Sequence, residues 1–318
     1  MPDLVFMGTP AFAVPSLRAL VDAGYRVKAA VTQPDKPAGR GQKLQAPAVK
    51  LFAQECGIPV LQPGRLRKEP ESVAALRESR PDAIVVVAFG QILPQDVLDI
   101  PPLGCINVHG SLLPAYRGAG PIQWALINGE RLTGVTTMLM DAGMDTGPMF
   151  LKAEMPIQPE DDAGSLGARM AEVGAKLLIE TLEQYFAGGL AAVPQPADGV
   201  SMAPMLKKED GLLDWSQPAG RLHDRIRGLT PWPGAYTTLA GEPVKVHKAE
   251  IIRDAAGRPG ELLDLTPDGW VIGTCQDALL LRTIQLPGRR PQEAAEAARG
   301  LRHLAPGRFL GSDAAVSL

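Results

Sequence analysis

Short uninterrupted apolar runs alternate through the first half of the chain with segments whose apolar positions recur at helical spacing. Residues 4–7 are apolar throughout, Gly8-Thr9-Pro10 turns the chain, and residues 15–23 carry Leu17, Leu20 and Val21 on one face before Gly24 stops them. The same reading predicts strands over 27–31, 59–61 and 83–88, helices over 49–55 and 71–78, and a further strand over 135–140. Runs without alternation belong to strands covered on both faces, so the pattern predicts an α/β unit with a doubly wound, mostly parallel sheet. Ligand loops then follow the carboxyl ends of central strands, after Met7, Ala88 and Val108. A helix over 165–186, with Leu166, Met170, Val173, Leu177, Leu178 and Leu182 in one stripe, closes this unit at Gly188-Gly189.

From 190 to 208 Pro, Ala and Gly accumulate without periodicity, which predicts a linker or an extended strap. This divides the chain into an expected first domain, 1–189, and a second, 209–318. In the second, a short helix over 219–228 precedes close-spaced strand candidates at 235–239, 244–252, 261–265, 270–274 and 278–285, then an Ala-rich helix over 292–299. Short strands with Gly and Pro turns predict a smaller β-barrel, of the oligonucleotide-binding (OB-like) kind. Residues 306–318 carry no readable signal. Two domains also fit the length: 318 residues exceed the ~250–300 at which single cores stop growing.

Composition narrows the function classes. A net charge of −3 argues against a dominant non-specific grip on nucleic acid, so any such contact must be local. Cys56, Cys105 and Cys275 are scattered singly, signalling neither a disulfide framework nor a zinc site, and suit a reducing cytoplasm. Neither an export signal nor a membrane span is expected, because the apolar runs are too short.

Candidate chemistry begins at residues 103–114, LGCINVHGSLLP, where Asn107 and His109 end an otherwise apolar strand. The two-residue repeat of a strand points both side chains to one side, where they can converge on a small ligand. Taken alone, N-x-H more often means a turn cap and a satisfied core histidine. Cys105 on the same face lacks further ligands nearby, so no metal is expected. Residues 140–147, MDAGMDTG, form a second polar cluster, for which turn chemistry of Asp141 and Asp145 is the plain alternative. The loop 32–45 holds Lys36, Arg40 and Lys43 among Pro and Gly, a mobile basic finger or a solvated loop.

Gly8-Thr9-Pro10, Asn107-x-His109, Ser111-Leu112-Leu113-Pro114, Arg117-Gly118 and Asp145-Thr146-Gly147, in this order, resemble the folate-dependent formyltransferase family over nearly the whole chain. The segment 33–41 with Asp214-Trp215-Ser216 and Pro231-Trp232-Pro233-Gly234 is similar to members that act on initiator methionyl-tRNA. The resemblance implies a Rossmann-like first domain and 10-formyltetrahydrofolate as formyl donor. It places the donor beside Ser111, Leu112, Leu113 and Pro114, with Phe89, Gly90, Gln91, Ile92 and Asp141 alongside. Asn107, His109 and Asp145 would be catalytic: the amide and the imidazole as donors to the formyl oxygen, the carboxylate orienting the ring and relaying a proton. Lys36, Arg40 and Lys43 would enter the tRNA acceptor end. Independently of the resemblance, Lys207 and Lys208, with Arg221, Arg225 and Arg227, read as a phosphate-contacting track where linker and barrel meet, or as an ordinary solvated charged face. A monomer is expected.

A purine-nucleotide or nucleotide-sugar formyltransferase would share the same three residues; the long second domain weighs against the first and the basic loop, 36–43, against the second. A dinucleotide-dependent oxidoreductase lacks its fingerprint, since Gly8 supplies one glycine where three are needed. A non-catalytic tRNA-binding module is the remaining class.

Overall fold

A computed structural model describes residues 1–38, 43–301 and 304–311, without the side chains of 38 and 43. The chain forms two compact units. One comprises Met1–Pro121, Leu132–Pro156 and Gly167–Pro204; the other comprises Ile122–Arg131, Ile157–Leu166 and the chain from Met205 onward. No single cut in the sequence separates them: two short segments inside 1–189 pack with the second unit.

In chain order the elements up to residue 186 are β1 (Asp3–Gly8), α1 (Val14–Asp22), β2 (Arg26–Val31), β3 (Lys36–Ala38), β4 (Lys43–Gln45), α2 (Ala48–Glu55), β5 (Val60–Leu61), α3 (Pro70–Glu78), β6 (Ala83–Val87), α4 (Gln95–Leu98), β7 (Cys105–His109), α5 (Pro121–Ile127), β8 (Leu132–Leu139), β9 (Met149–Pro156) and α6 (Ala163–Phe186). The sheet runs β5-β2-β1-β6-β7-β8-β9. β5, β2, β1, β6 and β7 are parallel, as their continuous apolar runs require, and every residue of β6 and β7 is buried. β8 and β9 turn back antiparallel. β9 escapes the pattern reading because Lys152 and Glu154 face outward on an edge strand, where charge discourages further pairing. The basic loop is not a bare finger: β3 and β4 pair as a hairpin.

The second unit continues with α7 (Ala219–Leu229), β10 (Ala235–Leu239), β11 (Glu242–Ile252), β12 (Leu262–Thr266), β13 (Gly269–Gly273), β14 (Ala278–Gln285), β15 (Gln292–Glu293) and α8 (Ala294–Arg299). The antiparallel order is β10-β11-β14-β13-β12, with β15 added to β14. The two open edges, β10 and β12, are joined by the tail. Leu310 bridges Leu239 and Phe309 bridges Glu261, and the ladder includes Leu262 N to Arg308 O at 2.7 Å and Gly311 N to Thr238 O at 2.8 Å. The unread tail therefore closes the barrel and removes both edges.

Trp270 fills the core, its Nε1–H donating to Ala294 O at 2.7 Å, and Leu222, Ile226 and Leu229 of α7 pack into the same cluster. Arg227 is not available to phosphate. Its Nη1 donates to the carbonyls of Gln158, Pro159 and Asp161, and its Nη2 to Asp224 at 2.7 Å, pinning residues 158–161 to α7. Arg225 donates to the Asp210 carbonyl and Arg221 to that of Asn128.

Leu310 is buried within this closure. Leu310→Ala should lower the unfolding free energy by about 2–4 kcal/mol in a denaturant titration, the ordinary loss for emptying a leucine site.

Candidate active site

The site lies at the carboxyl ends of β1, β6 and β7. Thr9 Oγ1 after β1 donates to Phe89 O at 2.9 Å, and Gln33 after β2 donates through Nε2 to Phe89 O and Gly90 O at 3.2 and 3.0 Å. These bonds stitch three loops together. Ala88 and Gly90 both take left-handed backbone, φ 47° and 80°, which turns Phe89 into the interior, 2% exposed, and leaves Ile92 71% exposed. Gln91 turns inward as well: its Oε1 accepts from Leu66 N at 2.8 Å and its Nε2 donates to Pro63 O at 3.0 Å.

β7 carries Asn107 opposite Met138 and His109 opposite Thr136, both side chains on one face. Asn107 is 8% exposed, and its carboxamide makes no hydrogen bond to the described residues. Among the described residues the buried side-chain atom without a partner is Arg227 Nε, so the Asn107 amide atoms stay open to a ligand or water rather than sealed in the fold. His109 is 6% exposed, with Nε2 3.0 Å from Tyr116 O. A carbonyl only accepts, which assigns the ring proton to Nε2 and turns Nδ1 toward Asp145, whose Oδ2 lies 3.7 Å away. That gap is longer than a hydrogen bond. Asp145 Oδ2 itself accepts from Gly118 N at 2.8 Å.

Asp145 sits at φ 53°, left-handed for a residue with a side chain. Its loop is closed by Asp141, which accepts from Gly143 N at 3.1 Å and from Thr146 Oγ1 at 2.7 and 2.9 Å. Asp141 thus plays the turn role that its sequence context also allowed. Gly147 approaches Leu139 so closely that an added Cβ would lie 1.9 Å from its carbonyl oxygen, leaving room for glycine alone.

The loop 111–114 is equally determined. Ser111 Oγ donates to Ala115 O at 2.6 Å, Thr136 Oγ1 donates to Ser111 O at 2.7 Å and accepts from Leu113 N at 3.1 Å, and Lys152 donates to Leu113 O. Leu113 is fully buried, Leu112 lies against Gly134, and the Leu113–Pro114 peptide is cis. Thr136, Lys152 and Gln195 are site-building residues that the sequence reading missed. A strand threonine, an edge lysine and a glutamine in a Pro- and Ala-rich stretch carry no pattern that marks them.

Cys105 is buried, which pushes its thiol up to about 12 with a smaller contribution from Asp99, so it packs as an inert thiol. Among the described residues no group of three His, Cys, Asp or Glu side chains could hold a metal ion. Lys36 is exposed and donates to Gln33 Oε1; Arg40 lies outside the described residues, and Lys43 is described as backbone only. Lys207 and Lys208 are exposed at the start of the second unit.

Residues 3–182 match the formyl transferase family, and residues 205–302 match the formyl transferase C-terminal domain. The chain is 51% identical over 313 residues to the methionyl-tRNA formyltransferase of Geobacter sulfurreducens, covering 98% of each protein. It is 48% identical over 306 residues to that of Myxococcus xanthus, covering 96% of this chain and 97% of the relative. Two solved structures share the fold at lower identity. HypX from Aquifex aeolicus in complex with tetrahydrofolic acid aligns over 96% of this chain, 19% identical, TM-score 0.66, this chain spanning about half (48%) of that one. The N-formyltransferase of Helicobacter canadensis, in complex with folinic acid and dTDP-3-aminofucose, aligns over 88% of this chain and 99% of its own, 18% identical, TM-score 0.67.

An amide that makes no bond to the described residues is replaceable at little cost to the fold. Asn107→Leu, of similar shape and without the polar atoms, should leave the unfolding free energy within about 1 kcal/mol of the unaltered protein in urea. A larger loss of stability would show that the amide is satisfied by the protein after all.

Proposed function

Because the chain belongs to the formyl transferase family, we propose that it transfers the formyl group of 10-formyltetrahydrofolate to the amino group of methionine carried on initiator tRNA. Full-length similarity to relatives named methionyl-tRNA formyltransferase supports the acceptor, and folate compounds bound to two proteins of the same fold support the donor. The observation that carries the chemistry is the Asn107 amide, which makes no bond to the described residues and lies on the same strand face as His109.

The reaction forms a bond between the amine nitrogen and the formyl carbon and breaks the bond from that carbon to the folate nitrogen. Negative charge develops on the formyl oxygen, and one proton must pass from the attacking amine to the departing nitrogen. Asn107 supplies amide N–H groups to that oxygen without giving up any bond in the fold, and one such donor is worth about 3–4 kcal/mol. His109 is better placed for the proton than for the oxygen. With Nε2–H donated to Tyr116 O, Nδ1 is the ring atom that faces Asp145 and exchanges the proton. Asp145, aimed by the Gly118 N–H, faces that Nδ1 and completes a proton path.

The donor would lie along the loops 89–92 and 111–114, whose backbone is fixed by Thr9, Gln33, Thr136 and Lys152. Gln91 and Asp141 shape these walls through their own bonds rather than by reaching outward. The tRNA would be met by Lys36, Arg40 and Lys43 and, in the second unit, by Lys207 and Lys208. The enzyme would act as a monomer in the cytoplasm, where its unpaired cysteines stay reduced; no described helix is long and apolar enough to cross a membrane.

The decisive assay is transfer of labelled formyl from 10-formyltetrahydrofolate to charged initiator tRNA. Asn107→Ala, His109→Ala and Asp145→Asn should each lower kcat on the order of a hundredfold with unchanged thermal melting. Joint replacement of Lys207 and Lys208 by Glu should raise KM for the tRNA and spare kcat. Rates near those of the unaltered enzyme in the first three variants would refute the assignment.

A further inference from the structure

Within the stretch that reads as a bare linker, Gln195 commits its whole carboxamide to the loop bearing Asp145. Nε2 donates to Asp145 O at 2.7 Å and to Gly147 O at 2.8 Å; Oε1 accepts from Arg117 Nε at 3.1 Å and Nη2 at 2.7 Å. Both donors and both acceptor directions of the side chain are thereby used. The carbonyl it grips belongs to a residue held at φ 53°, a conformation that survives only where surrounding bonds determine it.

The same stretch also runs beside residues 116–120. Arg117 N donates to Ser201 O at 2.9 Å, Ala203 N to Arg117 O at 2.7 Å, Gly120 N to Ala203 O at 3.0 Å and Tyr116 N to Ser201 Oγ at 2.9 Å. Gly118, at φ 124°, lies so near that a Cβ would stand 2.6 Å from Ala203 O. Tyr116 O takes the Nε2–H of His109, and Gly118 N–H supports Asp145 Oδ2. Each member of the pair is therefore held by a segment that the strap holds in turn.

We infer that Gln195 is a positioning residue for formyl transfer. It fixes the backbone of Asp145 and, through Arg117, the 116–118 segment, so that the carboxylate and the imidazole keep the register in which a proton passes between them. This rests on the proposed roles of His109 and Asp145. Gln195 touches neither substrate in this reading; it acts through the Asp145–His109 pair.

The test is a kinetic cycle with Gln195→Met, which keeps length and removes every bond, and Gln195→Glu, which keeps the oxygen facing Arg117 and removes the donors to Asp145 and Gly147. Each should lower kcat by about 10- to 100-fold with KM for donor and tRNA within about twofold, the pattern of a displaced group rather than lost binding. On an Asp145→Asn background the further loss should shrink to less than about twofold, because residues acting as a unit are not additive. Kcat near that of the unaltered enzyme, a change confined to KM, or a full further loss on the Asp145→Asn background would overturn the inference. Failure of both variants to fold by circular dichroism would reduce Gln195 to a structural tie and overturn it equally. Asp145→Asn turning over as fast as the unaltered enzyme would instead strike down the site assignment itself, and this inference with it.

Discussion

An amide at the end of an apolar strand, with no bond to the described residues, is the constraint around which the first unit is arranged. β7 places Asn107 between β6 and β8, and its neighbours in register, Val86 and Met138, are apolar. The fold itself makes no use of this amide, whose polar atoms stay open to a partner from outside. The sheet tolerates it because β1 and β6 are buried along almost their whole length by residues such as Leu4, Phe6, Ile84 and Val85. Apolar strands make the site dry, and dryness is what gives a hydrogen bond to a developing oxyanion its strength.

Three of the seven described non-glycine residues with left-handed backbone lie at this site. Ala88, Tyr116 and Asp145 take left-handed backbone at φ 47°, 59° and 53°, one in each of three loops that meet the site. Each is determined by bonds that leave no alternative: Thr9 and Gln33 hold Phe89 O, Ser201 holds Tyr116 N, and Gln195 holds Asp145 O. Rigid loops of this kind pre-set the geometry before substrate arrives, which lowers the reorganisation needed during the reaction.

Much of this was legible in the residues and some was not, for physical reasons. The central strands were readable because burial on both faces demands continuous apolar runs, and Asn107 and His109 stood out because two polar groups interrupt one such run. The barrel strands after Pro233 were readable from Gly and Pro punctuation. β9 was not, since an edge strand with Lys152 and Glu154 outward resembles a solvated loop. Residues 307–311 were not, since a segment whose order comes from filling a gap between β10 and β12 carries no periodicity of its own. Gln195 was invisible for a related reason: its partners are backbone carbonyls, which every sequence contains.

The division of labour among basic residues explains how a chain of net charge −3 can still meet a polyanion. A guanidinium offers five donors in a fixed plane, so arginine serves where several acceptors must be tied at once. Arg117 grips Gln195, and Arg227 ties three carbonyls and a carboxylate. Lysine offers a hydrated point charge, and Lys207 and Lys208 remain exposed. Counting arginines therefore overstates the charge available to phosphate in this fold, because several of them are consumed in holding it together. Other arginines, among them Arg65, Arg67, Arg289 and Arg290, stay exposed, so the positive charge at the surface comes from both residue types.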